Sequence, residues 1–261
     1  MKRTPMQRPP EDLPSSLSGL LAGGRFYDSS CSEEARVYFA ELRDGYYVKR
    51  APLGSLRAEA EMTAYFHKKG LGAEVLAYEH TECDWLVTAR VEGEDGTDPR
   101  WTSEPRRLAI LLGEELRRLH ETDPRGCPVP DRMSGYLALV DENYARGSYD
   151  KTAFPDSFGY RSAEEAYAVL RDGRSGLRSE VLIHGDYCLP NVMLKDFRLS
   201  GFIDLGNGGV GDRHVDLFWG AWTLWFNLKT HAYRDLFLDA YGRDRVDEQL
   251  LKTVAAAEVF G

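Results

Sequence analysis

The run HGDYCLPN at 184–191 sets His184, Asp186 and Asn191 at the spacing H-x-D-x-x-x-x-N, and FIDLG at 202–206 adds Asp204. Phosphoryl transfer from a nucleotide needs groups of these kinds. A carboxylate accepts the proton of the incoming hydroxyl, while an amide oxygen and another carboxylate hold magnesium ions that neutralise the triphosphate. Hard oxygen ligands suit magnesium, whose usual protein environment is one or two carboxylates with substrate phosphates. A zinc reading is weaker, because the six histidines (67, 80, 120, 184, 214 and 231) include no H-E-x-x-H or other close ligand pair. His184 reads instead as a structural imidazole bracing the loop.

The flanking residues position these groups. Residues 180–183 (EVLI) read as a short strand into the motif, and 192–194 and 199–203 as two strands around a turn at 195–198. Upstream, YYVKR at 46–50 reads as a strand ending near Lys49, a compact charge suited to phosphate. Residues 56–69 have helical composition with Leu56, Met62, Tyr65 and Phe66 on one face. A lysine positioned by a glutamate belongs to the kinase mechanism. Glu59, three residues before Met62 and seven before Phe66, shares that inward face and is preferred to Glu61. Strands at 74–78 and 85–89 precede the polar run EGEDG at 92–96, which reads as a hinge. The extended backbone there, Ala89 to Val91, could offer an N–H and a C=O to adenine. The loop at 28–34 lacks glycine, so its serines, Ser30 and Ser32, are candidate phosphate contacts beside the alternative of a plain hairpin loop. No G-x-x-x-x-G-K-[ST] occurs, which argues against a P-loop enzyme.

The second half of the chain reads as mainly helical, with amphipathic segments at 107–121, 162–172, 215–228 and about 246–259. Ser162 and Glu165 have the spacing of a capping box. Asp212 and Asp216 suit the cap and first turn of the 215–228 helix, and Trp219, Trp222 and Trp225 read as a core stripe. Only seven residues separate Asp204 from Asp212, too few for a long activation segment, so a small-molecule kinase is favoured over a protein kinase.

The residues LRRLH at 116–120, CPVP at 127–130, HGDYCLPN, SGFIDLGNGGVGDRHVDL at 200–217 and the lysine strand YYVK resemble the aminoglycoside phosphotransferases. The chain is most similar to the branch of 3′-phosphotransferases, the kanamycin kinases, from about residue 13 onward. The resemblance implies an α+β, two-lobed protein-kinase-like fold. Residues 1–91 would form a small β-rich nucleotide-binding lobe, and 92–261 a larger, mostly helical lobe for catalysis and substrate binding. It implies Asp186 as catalytic base, Asn191 and Asp204 as magnesium ligands, Lys49 with Glu59 as phosphate clamp, and ATP, or GTP, with Mg2+ as cofactors. In relatives the final helix ends beside the antibiotic. Glu258 and Gly261, with Asp156, Glu164 and Glu165 as further candidates, would then meet its ammonium groups. Three features depart from the family: Asn207 where many relatives carry arginine, a nucleotide loop one residue longer than in some, and Ala257 where an acidic residue is common. The alternatives are a kinase of another small substrate (a metabolic amine, a sugar amine or a macrolide), an impaired nucleotide-binding protein, and an interaction module.

At 261 residues the chain can hold one large or two modest cores. A net charge of −9 speaks against nucleic acid and would attract a polycationic substrate. The four cysteines show no C-x-x-C spacing, as expected for reduced thiols, and no apolar signal core or 20-residue membrane span is present. The expectation is a soluble cytoplasmic protein, a monomer or weak homodimer, with no membrane or nucleic-acid partner.

Overall fold

The computed structural model describes residues 3–31, 35–149 and 159–261. Its first part is a six-stranded antiparallel sheet of β1 (Thr4–Pro5), β2 (Arg25–Asp28), β3 (Arg36–Glu41), β4 (Tyr46–Ala51), β5 (Val75–His80) and β6 (Asp84–Ala89), in the order β1-β2-β3-β4-β6-β5. The pleat alternates side chains between faces. Tyr46 and Val48 of β4 therefore join Phe26, Tyr38, Trp85 and Val87 in one apolar layer, closed by Leu17 of the short helix α1 (Ser15–Ser18). Lys49 points from the opposite face. Helix α2 (Arg57–Lys68) buries Met62 and Phe66 completely, each worth about 1.5–3 kcal/mol. Its first turn is held by a distant residue: the buried Asp84 carboxylate accepts the Leu56 N–H at 2.9 Å and the Tyr78 hydroxyl at 3.0 Å.

The chain continues through β7 (Glu94–Asp95), α3 (Pro99–Thr102), α4 (Pro105–Glu121), α5 (Arg132–Arg146) and α6 (Ala163–Gly173) to β8 (Val181–Ile183). The hairpin β9 (Val192–Lys195) and β10 (Arg198–Phe202) follows, then β11 (Gly209–Gly211), α7 (Arg213–Leu228), α8 (Arg234–Tyr241) and α9 (Glu248–Glu258). Two compact units result, and neither is one continuous stretch: residues 1–95 with 192–206, and 96–191 with 207–261. The hairpin belongs to the first unit because Glu94 and Asp95 pair with Leu194 and Met193. Phe202 also donates its N–H to the Leu71 carbonyl at 2.7 Å and meets the Phe66 ring edge-on at 6.2 Å.

In the second unit Val140, Ala166, Leu170, Val254, Ala256 and Phe260 anchor the core among α5, α6 and α9. Helix α4 carries the expected apolar face, with Leu108, Leu112 and Leu116 fully buried. Three features go beyond the sequence reading. Residues 209–211 form a short strand, because they pair antiparallel with β8. The tryptophans at 219, 222 and 225 are all half-buried: Trp219 packs against the core, and the ring contacts run outward to Phe226, which is 46% exposed. Helix α5 had not been read from the sequence, although Met133, Tyr136 and Val140 recur at i, i+3 and i+7 on its buried face.

Candidate active site

In the first unit, β4 and α2 bring Lys49 and Glu59 together, and the segment after β10 brings Asp204 to the same lysine. Lys49 Nζ lies 2.7 Å from Glu59 Oε2 and 3.0 Å from Asp204 Oδ1. Glu61 turns outward and pairs with Arg57 at 3.0 Å, so the glutamate on the inward face makes the lysine pair. Burial alone would pull the Lys49 ammonium down, but Glu59 and Asp204 outweigh it and its pKa stands above the ordinary value. Burial, with the Asp204 charge adding to it, pushes the Glu59 carboxyl up against the pull of Lys49. Asp204 itself has a left-handed backbone at φ 59°. A non-glycine residue held there costs about 1–3 kcal/mol, a strain that tends to collect at functional positions.

The other nucleotide candidates are placed less simply. The Ser30 hydroxyl accepts the Val37 N–H at 3.0 Å, and Val37 is the strand partner of Lys49. Ser30 therefore closes the β2–β3 connection, as in the hairpin-loop alternative, and it stays a candidate phosphate contact. Ser32 lies outside the described residues. The Ala89 N–H is taken by the Glu74 carbonyl and that of Arg90 by Gly45. Ala89 thus cannot offer its N–H to a base, whereas Val91 has no such backbone bond among the described residues.

In the second unit, the buried strand β8 delivers the chain into the 184–191 loop. Asp216, in the first turn of α7, accepts the N–H groups of both His184 and Gly185 at 2.7 Å. The same buried carboxylate meets His120 Nε2 at 3.1 Å, and His120 Nδ1 meets the Tyr241 hydroxyl at 2.8 Å. His184 is fully buried, and its Nδ1 accepts the Asp186 N–H at 3.2 Å, the bracing part expected of it. Asn191 Nδ2 donates to Asp186 Oδ2 at 2.8 Å and to its carbonyl at 3.1 Å. Asp212 caps α7 by accepting the His214 N–H at 2.9 Å.

Each unit, taken by itself, keeps one oxygen suited to a hard cation such as magnesium: the Asn191 amide nitrogen is committed to Asp186, which leaves its oxygen, and the second Asp204 oxygen makes no ion pair with Lys49. Among the described residues no cluster of three or more His, Cys, Asp or Glu could hold a metal. An ion at either residue would need phosphate oxygens and water to complete its shell, as magnesium commonly does.

Near the end of α9, Glu258 Oε1 accepts the Tyr136 hydroxyl at 2.7 Å, and the Trp219 indole also bonds the carboxyl. Burial pushes this acid up to about 7, with the Asp186 charge adding and Tyr136, Trp219 and Arg132 opposing. The backbone of Gly261 lies beside it, since a Cβ there would stand 2.9 Å from Glu258 Oε2. Glu165 does not join this group. Its backbone N–H goes to Ser162 Oγ at 3.2 Å, while its carboxylate accepts the Arg161 N–H at 2.9 Å and pairs with the Arg161 guanidinium at 3.2 Å. Asp156 lies outside the described residues. Sequence reasoning missed Tyr136, Trp219 and Arg132 as neighbours of this carboxylate. The signal for the first and last was the unread α5, with Asp131 as its N-cap.

Residues 32–251 match the profile of the family described as phosphotransferase enzymes. The chain belongs to the phosphotransferase enzyme family. It is 46% identical, over 96% of both chains, to a probable aminoglycoside 3'-phosphotransferase of Lactococcus lactis subsp. lactis (strain IL1403). It is 31% identical to an aminoglycoside 3'-phosphotransferase of Niallia circulans, over 79% of each. Among solved structures, an aminoglycoside-3'-phosphotransferase of type VIII matches with TM-score 0.78 and 27% identity, covering 94% of this chain and 97% of that one. The expected α+β kinase-like fold of the family is therefore the fold of this chain.

Proposed function

We propose that this phosphotransferase moves the γ-phosphoryl of ATP to a hydroxyl of an aminoglycoside, most simply the 3′-hydroxyl, and so confers resistance. The carrying observation is the 184–191 loop, where Asn191 fixes the Asp186 carboxylate while Asp216 and His184 fix the backbone. The similarity to 3'-phosphotransferases along almost the whole chain supports the substrate class. Asp186 accepts the hydroxyl proton as the new O–P bond forms and the bond to the leaving ADP oxygen breaks. Lys49, oriented by Glu59, binds the triphosphate, and Val91 offers its N–H to the base. Asn191 and Asp204 would hold Mg2+, which supplies charge neutralisation at the phosphates. Glu258, with Gly261 beside it, receives a substrate ammonium.

In this reading residues 1–91 serve the nucleotide and 92–261 catalysis and substrate, with Asp204 contributed by the returning 192–206 segment. Among the described residues no disulfide joins the cysteines and no helix is long and apolar enough to cross a membrane, in keeping with work in the cytoplasm. GTP in place of ATP and a monomer or weak homodimer belong to the same proposal. The test is a coupled ATPase assay over a panel of aminoglycosides, with phosphorus NMR locating the new ester. Turnover with none of them, in an enzyme that still binds magnesium nucleotide, would redirect the assignment to another small substrate.

A further inference from the structure

Arg132, the first residue of α5, is a partly buried guanidinium whose surroundings do not balance its charge. Its Nη2 donates to the neutral Asn207 Oδ1 at 2.8 Å, and no carboxylate lies within ion-pair distance among the described residues. A guanidinium offers five N–H donors, and an amide oxygen uses few of them. Burial pulls its pKa below the ordinary range, with only a partial counter-effect from Tyr136 and Glu258. The one acid at this end of α5, the N-cap Asp131, is taken up by Ser134 and Ser179, and the positive end of a helix is an unfavourable place for a cation. Such a group is costly to maintain without an anion.

Its place is fixed next to the catalytic loop. Asn207 is wedged against Gly185, where an added Cβ would stand 2.0 Å from the Asn207 carbonyl oxygen. Gly185 in turn is held by Asp216 and leads directly into Asp186. On the other side Gly209 packs on Arg132, its absent Cβ falling 3.0 Å from Arg132 Cβ. The guanidinium is thus tied through one amide to the turn that carries Asp186. An arginine at position 207 would set two guanidinium groups against each other.

We propose that Arg132, oriented by Asn207, is a catalytic residue that donates to the oxygens of the phosphoryl group in flight. This rests on the phosphotransferase reading above. Charge spreads over three equatorial oxygens during transfer, and a planar donor fork matches them. Asn207 is then a positioning residue, and the neutral side chain at 207 is what leaves the guanidinium its charge.

The experiment measures kcat and KM, together with the affinity for MgADP with and without aluminium fluoride, a mimic of the phosphoryl in flight. For R132M and R132Q, kcat should fall about 10²–10³-fold, the usual cost of losing such a donor. The KM for aminoglycoside and the affinity for MgADP alone should stay nearly unchanged. The gain in affinity on adding fluoride should largely disappear, and R132K should recover part of it. R132Q is shorter than arginine but keeps a polar, uncharged head, so it carries the test if R132M does not fold. Wild-type kcat and an undiminished fluoride gain in R132Q would overturn the proposal, as would a rise confined to the aminoglycoside KM. The fluoride measurement needs no acceptor, so it reads Arg132 even if wild-type enzyme turns over no aminoglycoside.

Discussion

Asp186 and Asn191 illustrate how far a motif carries at the level of single residues. Their spacing put both in one loop, and the structure adds that Asn191 holds the Asp186 carboxylate directly. Losing a general base typically costs about 10²–10⁴ in rate. D186N should therefore lose about that much in kcat while binding ADP as tightly as wild type, measured by steady-state kinetics and calorimetry; kcat above a tenth of wild type would remove the assignment. Glu258 gives a prediction in pH. Its carboxyl is raised from the ordinary 4.5 to about 7, so it becomes an anion only as pH rises through 7. The KM for a multi-ammonium substrate should rise as pH falls from 8 to 6, and E258Q should flatten that profile. The stability contribution has the opposite slope. It is fully present below 4.5, where both states are protonated, and lost as pH rises through about 7. Thermal melting across this window should show a decline that E258Q lacks. Glu258 could be named from the sequence by family likeness, but its proton affinity could not, because Tyr136, Trp219 and Asp186 reach it from remote parts of the chain.

Strands and helices near the motifs were legible where periodicity is strong. Helix α6 begins after Ser162, whose hydroxyl accepts the Glu165 N–H as the N-cap reading requires, and α4 keeps its apolar face. What escaped were elements whose partners are distant. β11 is a run of glycine and valine that becomes a strand only because β8 lies beside it, and α2 takes its cap from Asp84 rather than from its own residues. The helix α5 was masked by Gly135 near its start, although its apolar residues recur over two turns. Gly185 shows how tightly these elements meet. Its φ is 82°, and a Cβ would strike the Asn207 carbonyl oxygen at 2.0 Å. G185A should reduce kcat at least as much as D186N and lower the melting temperature by several degrees. An alanine variant with wild-type turnover would mean that the 184–186 turn tolerates rearrangement.

Across the entire chain, charge is the property that composition made plain. A net charge of −9 faces a substrate proposed to be polycationic and a nucleotide that is anionic. Steering of this kind can alter on-rates by about 10–10³ and is screened beyond roughly 10 Å at 0.1 M salt. Raising ionic strength from about 0.02 to about 0.5 M, roughly the range over which screening sets in, should lower kcat/KM for the aminoglycoside severalfold. The KM for ATP should stay level or improve. Equal losses for both substrates would assign the salt effect to the fold rather than to attraction.

The first unit is sewn from two separate pieces of chain, residues 1–95 and 192–206. On the ribosome this imposes an order of events. The sheet can form early, but Phe66 must wait for Phe202, and Glu94 for the strand that begins at Val192. Synthesis runs at about 5–20 residues per second, so a nascent chain spends on the order of 5–20 s with that apolar face uncovered. Holdase chaperones have this interval in which to act, and a premature stop before codon 206 would release a sheet with no cover for it.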